Sequence, residues 1–138
     1  MSEWNDKIIA EFRDNNGVVG GPFEGAHLLL LTTTGAKSGE KRVSPMMYFA
    51  DGDSRLVAAS KAGAPTHPAW YHNLIADEKV HVEASIPGGI EEYDAVAVPL
   101  PEDERAPKYA EIGSRYPGFA EYQTKTSRKI PLVKITKL

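Results

Sequence analysis

The strongest constraint on the fold is a series of short β-prone segments, each bounded by glycine, proline, asparagine, aspartate or lysine-rich turns. β-Branched and aromatic residues favour extended strands, whereas glycine, proline and aspartate favour the turns between them. Six segments are predicted as strands: 28–33, 42–49, 55–60, 79–85, 91–99 and 130–135. The first three are close in sequence and predict a three-stranded meander, and Pro131 marks the last as a candidate edge strand. Because a barrel hides sheet edges, the pattern predicts an α+β fold built on a six-stranded antiparallel closed or split β-barrel.

Short helices are expected to flank this barrel. Residues 2–14 place Trp4, Ile8 and Phe12 on one helical face, with Ser2 as a candidate N-cap. We expect that face to pack on the barrel, and weak peripheral contact with a membrane is its alternative use. Further helices are predicted from about 68 to 76 and over 102–116, and Pro117 and Gly118 end the latter before a short segment, 119–125.

The composition excludes several classes of protein. The 138 residues fit one domain, 1–138, and a net charge of −3 gives no excess of lysine and arginine for binding nucleic acid. The absence of cysteine excludes disulfides and thiolate nucleophiles and fits a reducing cytoplasm. The longest apolar run, 26–31, is far shorter than the ~20 residues that cross a bilayer. We therefore expect a cytoplasmic protein without a transmembrane segment.

A polar segment between the first two predicted strands is a candidate anion site. Residues 33–42 bring together three cations, three hydroxyl groups and two glycines. Glycines allow backbone N–H groups to turn inward as a nest, and Lys37, Ser38 and Arg42 can add charge-assisted hydrogen bonds. An ordinary solvated hairpin turn explains the same spacing equally well.

A second candidate lies at the end of the third predicted strand. Small residues at 58 and 59 lead into Ser60, Lys61 and a glycine loop. Small side chains allow a flat ring to approach the backbone, and Lys61 can contact an anion. Taken alone, Lys61 is more simply a surface lysine, so the hypothesis requires both segments to act together.

Aromatic residues are concentrated in the second half of the chain and can wall a pocket for a ring. Trp70 and Tyr71 lie on the predicted middle helix, whereas Tyr116, Phe119 and Tyr122 are spaced three apart after it. Trp70 is more simply a core residue. The tyrosines are better candidates for a lid and a proton donor.

The sequence lacks the motifs of a histidine metal site and of a serine hydrolase. The four histidines show no His-Glu-x-x-His spacing, so no metal site is expected. Ser38, Ser44 and Ser60 lie outside any Gly-x-Ser-x-Gly motif, which disfavours a serine hydrolase.

Seven short motifs are distributed over most of the chain: GGPFEG at 20–25, LLTTTG at 30–35, KSG at 37–39, RVSP at 42–45, ASK at 59–61, PAWYHNL at 68–74 and YPGFAEY at 116–122. Together they resemble the deazaflavin-dependent nitroreductase and quinone reductase family. Members of that family are small proteins of the FMN-binding split-barrel type that use coenzyme F420. Ala36 differs from the arginine that members often carry there.

The resemblance implies roles for individual residues. The segment around Lys37 would hold the phosphate and acidic tail of F420, and 58–61 with 69–73 would line the deazaflavin. Ser60 and Tyr122 are candidates for hydrogen bonding the acceptor or relaying a proton, with Tyr116 shaping the wall beside Phe119. The cofactor-binding residues implied are Ala36, Lys37, Ser38, Arg42, Val43, Ser44, Pro45, Ala58, Ala59, Ser60, Lys61, Ala69, Trp70, Tyr71, His72, Asn73 and Phe119.

The expected function is transfer of a hydride from reduced F420 to a small planar electrophile such as a quinone, nitroaromatic or enone. A non-catalytic F420 carrier, an FMN- or haem-binding split-barrel protein and a barrel interaction domain without ligand are the alternatives. Both a monomer and a homodimer fit the sequence.

Overall fold

The computed structural model describes residues 3–20 and 27–138, which form one curled sheet and four helices. Ser2, the motif residues 21–25 and the side chain of Trp4 lie outside what is described. The helices are α1 (Glu3–Asp14), α2 (Ala69–Ala76), α3 (Glu102–Arg115) and α4 (Pro117–Thr124), with a 3₁₀ turn at Lys61–Gly63. The strands are β1 (Leu28–Thr34), β2 (Lys41–Met47), β3 (Phe49–Asp51), β4 (Ser54–Ala58), β5 (Lys79–Ile86), β6 (Gly89–Pro99) and β7 (Leu132–Lys137).

The sheet has the order β2-β1-β5-β6-β7-β4-β3, and every neighbouring pair is antiparallel. β2 and β3 occupy opposite edges of the sheet, yet only Tyr48 separates them in the chain. The sheet must therefore curl until its edges approach each other, which confirms the predicted split barrel.

The predicted number of strands is wrong by one, because the run 42–49 divides at Tyr48. The Tyr48 amide donates to the carbonyl oxygen of His27 at 3.0 Å, and its hydroxyl donates to the carbonyl oxygen of Ser85. The Arg55 guanidinium lies 4.9 Å from the centre of the Tyr48 ring. These contacts hold the chain where it passes from one sheet edge to the other.

The predicted meander and the predicted edge strand are also wrong. β4 does not pair with β2; it pairs with β3 and β7. β7 therefore lies inside the sheet between β6 and β4, and Pro131 precedes the strand, where its missing N–H costs no ladder hydrogen bond.

Alternation along the strands separates the buried residues into an inner core and two outer clusters. Leu29 and Leu31 of β1 belong to the inner core, which α2 joins through Leu74. Leu28 and Leu30 face outward and pack against α1, where Ile8 and Phe12 are buried. The expected packing of α1 on the barrel is confirmed for those two side chains.

α3 and α4 cover the outer side of β4 and β7 through a third cluster that includes Tyr109, Ile112, Ile130 and Leu132. No helix in residues 3–20 or 27–138 is long and apolar enough to span a bilayer.

A histidine on the outer face of β5 should make stability depend on pH. His81 Nδ1 lies 2.8 Å from Asp94 Oδ1, and Nε2 lies 2.6 Å from Glu92 Oε2. The hydrogen bond with Asp94, supported by Glu92 against the opposing effect of burial, raises the pKa of His81 above its ordinary 6.5. A raised folded-state pKa adds stability below the unfolded pKa, and that stability is lost as the pH rises through the folded pKa.

We therefore expect the free energy of unfolding to fall with rising pH above about 6.5 more steeply in the native protein than in His81→Gln. The effect should be small because the side chain is 35% exposed. Urea unfolding at a series of pH values measures it. Parallel profiles for the two proteins would contradict this assignment.

Candidate functional site

The turn between β1 and β2 is the predicted anion segment, and its own hydrogen bonds fix its shape. The Gly35 amide donates to the Glu40 carbonyl oxygen at 2.7 Å, and the Gly39 amide donates to the Gly35 carbonyl oxygen at 2.9 Å. Gly39 has φ +73°, a conformation that glycine adopts without strain. A β-carbon on Gly35 would lie 2.6 Å from Ser38 Oγ, so the tight turn requires glycine or a shift of that serine.

The predicted backbone nest is wrong for most of this turn, because its amides already donate within the protein. Besides Gly35 and Gly39, the Ala36 amide donates to Asn73 Oδ1 at 3.0 Å, and the Glu40 amide donates to Ser38 Oγ at 3.1 Å. Ser38 accepts that bond through its oxygen and keeps its hydroxyl hydrogen for a ligand. Anion binding at this turn therefore falls chiefly to side chains.

Asn73 joins helix α2 to the turn. Its side chain is buried; Oδ1 accepts from the Ala36 amide, and Nδ2 donates to Thr33 Oγ1 at 3.2 Å. The two hydrogen bonds use both ends of the amide group within the protein. They set the position of the turn relative to α2, which gives Asn73 a structural task that sequence reasoning missed.

The turn, the inner face of β2 and the helix α2 enclose a cleft of ≈ 920 Å³. Lys37 is exposed at its rim, and Arg42 pairs with Glu40 at 3.2 Å in an ion pair open to solvent. Trp70 is half-buried; it packs against the inner core and also lines the cleft. The lining residues are Asn5, Gly35, Ala36, Lys37, Ser38, Arg42, Ser44, Ala69, Trp70, His72 and Asn73.

Several predicted site residues do not line this cleft. Val43 faces the opposite side of β2 and packs against the α1 cluster, and Pro45 shares its strand parity. Tyr71 packs against the inner core, and its ring centre lies 4.7 Å from that of His67. Any contact of Val43 or Pro45 with a ligand in the cleft would have to come from the backbone.

The second predicted cradle, 58–61, forms a separate structural unit. Ala58 packs against the third cluster and Ala59 is fully buried. Lys61 adopts φ +46°, an uncommon value for a residue with a side chain, and its ammonium donates to Thr66 Oγ1 at 3.3 Å. None of these residues lines the cleft at the β1–β2 turn.

Helix α4 packs beside this strand-end loop. Gly63, at φ +82°, comes so close to the helix that an added β-carbon would lie 2.8 Å from the Tyr122 carbonyl oxygen. Phe119 and Tyr122 belong to the third cluster, with ring centres 5.5 Å apart. Tyr109 anchors the helix by donating to the Phe119 carbonyl oxygen at 2.7 Å, and burial raises the pKa of Tyr109 to about 12.

Tyr116 does not line the cleft at the turn. Its ring centre is 5.3 Å from that of Phe49, and it lines a second cleft of ≈ 390 Å³ between β3 and α3. This second cleft shares no lining residue with the cleft at the turn.

The residue that sequence reasoning missed most clearly is Arg128. Its guanidinium hydrogen bonds to the backbone of the loop after β4 and to His67. An arginine between two polar residues before the last strand carries no motif, so the sequence offered no signal for this role.

Comparison with known proteins adds independent information. The family profile for F420H2-dependent quinone reductase matches residues 4–137. An F420H2-dependent quinone reductase of Mycobacterium tuberculosis strain H37Rv is 38% identical, with 93% of this chain and 86% of the relative covered.

Solved structures agree with this comparison. A structure described as an F420-H2 dependent reductase (FDR-A) is 39% identical with TM-score 0.66, over 78% of this chain and 92% of that chain. A protein described as a domain-swapped dimer is 34% identical with TM-score 0.68, over 96% and 97%. The haem storage protein HutZ of Vibrio cholerae, at 18% identity and TM-score 0.59, shares the fold; it covers 97% of this chain and 90% of its own. The chain belongs to the F420H2-dependent quinone reductase family, whose members are oxidoreductases that use coenzyme F420.

Proposed function

We propose that this protein transfers a hydride from reduced F420 to a quinone or another small planar electrophile. The observation that carries the proposal is the cleft lined by Lys37 and Ser38 of the turn, by Arg42 at the start of β2, and by Trp70 and Asn73 of α2. Family membership supports the coenzyme, and the choice of acceptor rests on the quinone reductase description of the family.

The residues of the cleft fit the chemistry of F420, which has an acidic tail, a phosphate and a flat ring. Two cationic side chains and the Ser38 hydroxyl lie at the turn and suit the anionic part. Ala69 and Trp70 provide a small residue and an indole on the other wall, which suit the ring system. The volume of ≈ 920 Å³ is that of a large cofactor pocket.

When bound, reduced F420 supplies the hydride from C5 of its deazaflavin. Lys37 and Arg42 neutralise the tail, and Arg42 exchanges Glu40 for the ligand's anion. Asn73 keeps the turn and α2 at a fixed separation, so that the ring is held at the same position in each turnover.

The acceptor is proposed to bind on the side of the strand-end loop and α4. Ser60 and Tyr122 donate hydrogen bonds to it or deliver the proton that follows the hydride. Phe119 and Tyr116 shape the walls and exclude water. The backbone of Ala58, Ala59 and Lys61 is proposed to lie beside the ring.

Titration of the purified protein with F420 and separately with FMN, followed by cofactor fluorescence, tests the coenzyme. Menadione is then added to the complex with reduced F420, and reoxidation is recorded. We expect F420 to bind more tightly than FMN and menadione to reoxidise it rapidly. Binding without reoxidation by quinones, nitroaromatics or enones would instead establish a carrier, and preference for FMN would overturn the coenzyme assignment.

A further inference from the structure

Arg128 lies between α4 and β7 and is half-buried. Its guanidinium donates to three backbone carbonyl oxygens of the loop that follows β4: Ala59 at 3.0 Å, Ser60 at 2.7 Å and Ala64 at 2.8 Å. A guanidinium has five N–H donors in a rigid plane, whereas an ammonium has one nitrogen and cannot span these positions. One side chain therefore fixes both ends of this short loop.

The same guanidinium also reaches the start of helix α2. Its Nη1 lies 3.0 Å from His67 Nδ1, which must accept because arginine has no acceptor. Burial, followed by the positive charge of Arg128, lowers the pKa of His67, and both effects favour the neutral ring. The His67 ring centre lies 4.7 Å from that of Tyr71 and 5.8 Å from that of His72, and His72 lines the cleft.

The loop that Arg128 holds has a costly backbone conformation. Lys61 sits in the left-handed region at φ +46°, and Gly63 at φ +82° is packed against the Tyr122 carbonyl oxygen. A non-glycine residue in that region persists only where its surroundings hold it there. The three hydrogen bonds from Arg128 hold carbonyl groups on either side of Lys61, and the Ser60 carbonyl oxygen also accepts from the Gly63 amide at 2.9 Å.

We propose that Arg128 is a positioning residue for the deazaflavin ring, acting by fixing the strand-end loop 59–64 against the start of α2. The inference rests on the proposed function, in which α2 lines the ring and the backbone of the loop lies beside it. Arg128 is not assigned a contact with coenzyme or acceptor. Its effect reaches the site through backbone carbonyl groups and through His67.

The test compares Arg128→Ala and Arg128→Lys with the native protein, using F420 binding by fluorescence, menadione turnover and thermal unfolding. The matched control is Arg105→Ala. Arg105 is also half-buried and donates to a backbone carbonyl oxygen, that of Ile130 at 3.1 Å, on the side of α3. Arg128→Ala is expected to weaken F420 binding and to lower menadione turnover at saturating F420 about 10- to 100-fold, because a displacement of about 1 Å in a positioned group slows a reaction by up to about that factor. Arg105→Ala should lower stability and leave binding unchanged.

Two further readouts separate positioning from a general loss of structure. Added guanidinium at millimolar concentration should restore part of the F420 binding of Arg128→Ala and have no effect on Arg105→Ala. The pKa of His67, measured by NMR, should rise in Arg128→Ala because a neighbouring positive charge has been removed. If Arg128→Ala does not fold, Arg128→Lys carries the test, with weaker binding at retained charge as the expected result.

Native F420 binding by the folded Arg128 variants would overturn this inference and leave the proposed function standing. Failure of the native protein to bind F420 would overturn the proposed function and the inference with it. A loss of binding equal to that of Arg105→Ala, without rescue by guanidinium, would show that Arg128 only stabilises the fold.

Discussion

Replacing Lys37 and Arg42 together by glutamine is expected to weaken F420 binding by about 100-fold or more. Charge-assisted hydrogen bonds contribute about 1.5–3 kcal/mol each, and about 1.4 kcal/mol corresponds to a factor of ten in affinity. Both side chains line the cleft at the β1–β2 turn, where most backbone amides are already committed within the protein. Fluorescence titration with F420 measures the loss. The net charge of −3 means that attraction of the acidic tail must be local.

Lys41→Gln is the matched control for this prediction. Lys41 lies in the same turn region, but it shares the strand parity of Val43, its ammonium donates to Thr34 Oγ1 at 2.8 Å, and it does not line the cleft. Its removal should change affinity far less than the double replacement. Added salt should weaken binding by the native protein more than by the double variant, because it screens exposed charges. Equal affinity of the double variant and the Lys41→Gln protein would contradict the assignment of the turn as the tail site.

Gly63→Ala is expected to lower the free energy of unfolding by about 2–5 kcal/mol, the sum of left-handed backbone strain and overpacking. The added methyl group would lie 2.8 Å from the Tyr122 carbonyl oxygen and 2.9 Å from Lys125 Cβ. Neither of these atoms can move without displacing α4 or the loop. Urea unfolding measures the change, and turnover at saturating F420 should fall because the loop carrying Ser60 and the helix carrying Tyr122 are pushed apart.

Gly88→Ala separates backbone strain from overpacking as causes of the lower free energy of unfolding. Gly88 has a similar φ of +91°, but a β-carbon there would meet no atom within 4 Å. Its replacement should cost only the backbone strain, about 1–2 kcal/mol. If Gly63→Ala lowers the free energy of unfolding no more than Gly88→Ala does, then α4 moves away from the loop without a measurable energetic cost.

The local patterns in the sequence were sufficient for most of the secondary structure. β-Prone residue types and turn residues located the strand segments except for the break between β2 and β3, and the spacing of Ile8 and Phe12 identified the buried face of α1. These features depend on neighbours within a few residues, which the chain itself specifies. The one strand that was misread, 42–49, is broken by contacts of Tyr48 with His27 and Ser85, which lie far from it in sequence.

The site residues likewise divide into those identified from the local sequence and those brought together only by the fold. The residues at the β1–β2 turn and on α2 were identified by type and motif, and the fold brings Lys37, Arg42, Trp70 and Asn73 to one cleft. The family resemblance was also confirmed.

What the sequence by itself determined is most of the helices and strands, the split barrel and the family. Only the tertiary structure decided the strand order, the separation of Tyr116 from the cleft at the turn, and the contacts of Arg128. The pairing of β4 with β7 and the hydrogen bonds of Arg128 join groups more than 60 residues apart, as the sequence separation of 69 between Ala59 and Arg128 illustrates. No local propensity encodes such distances, because they are set by which faces bury together when the sheet closes.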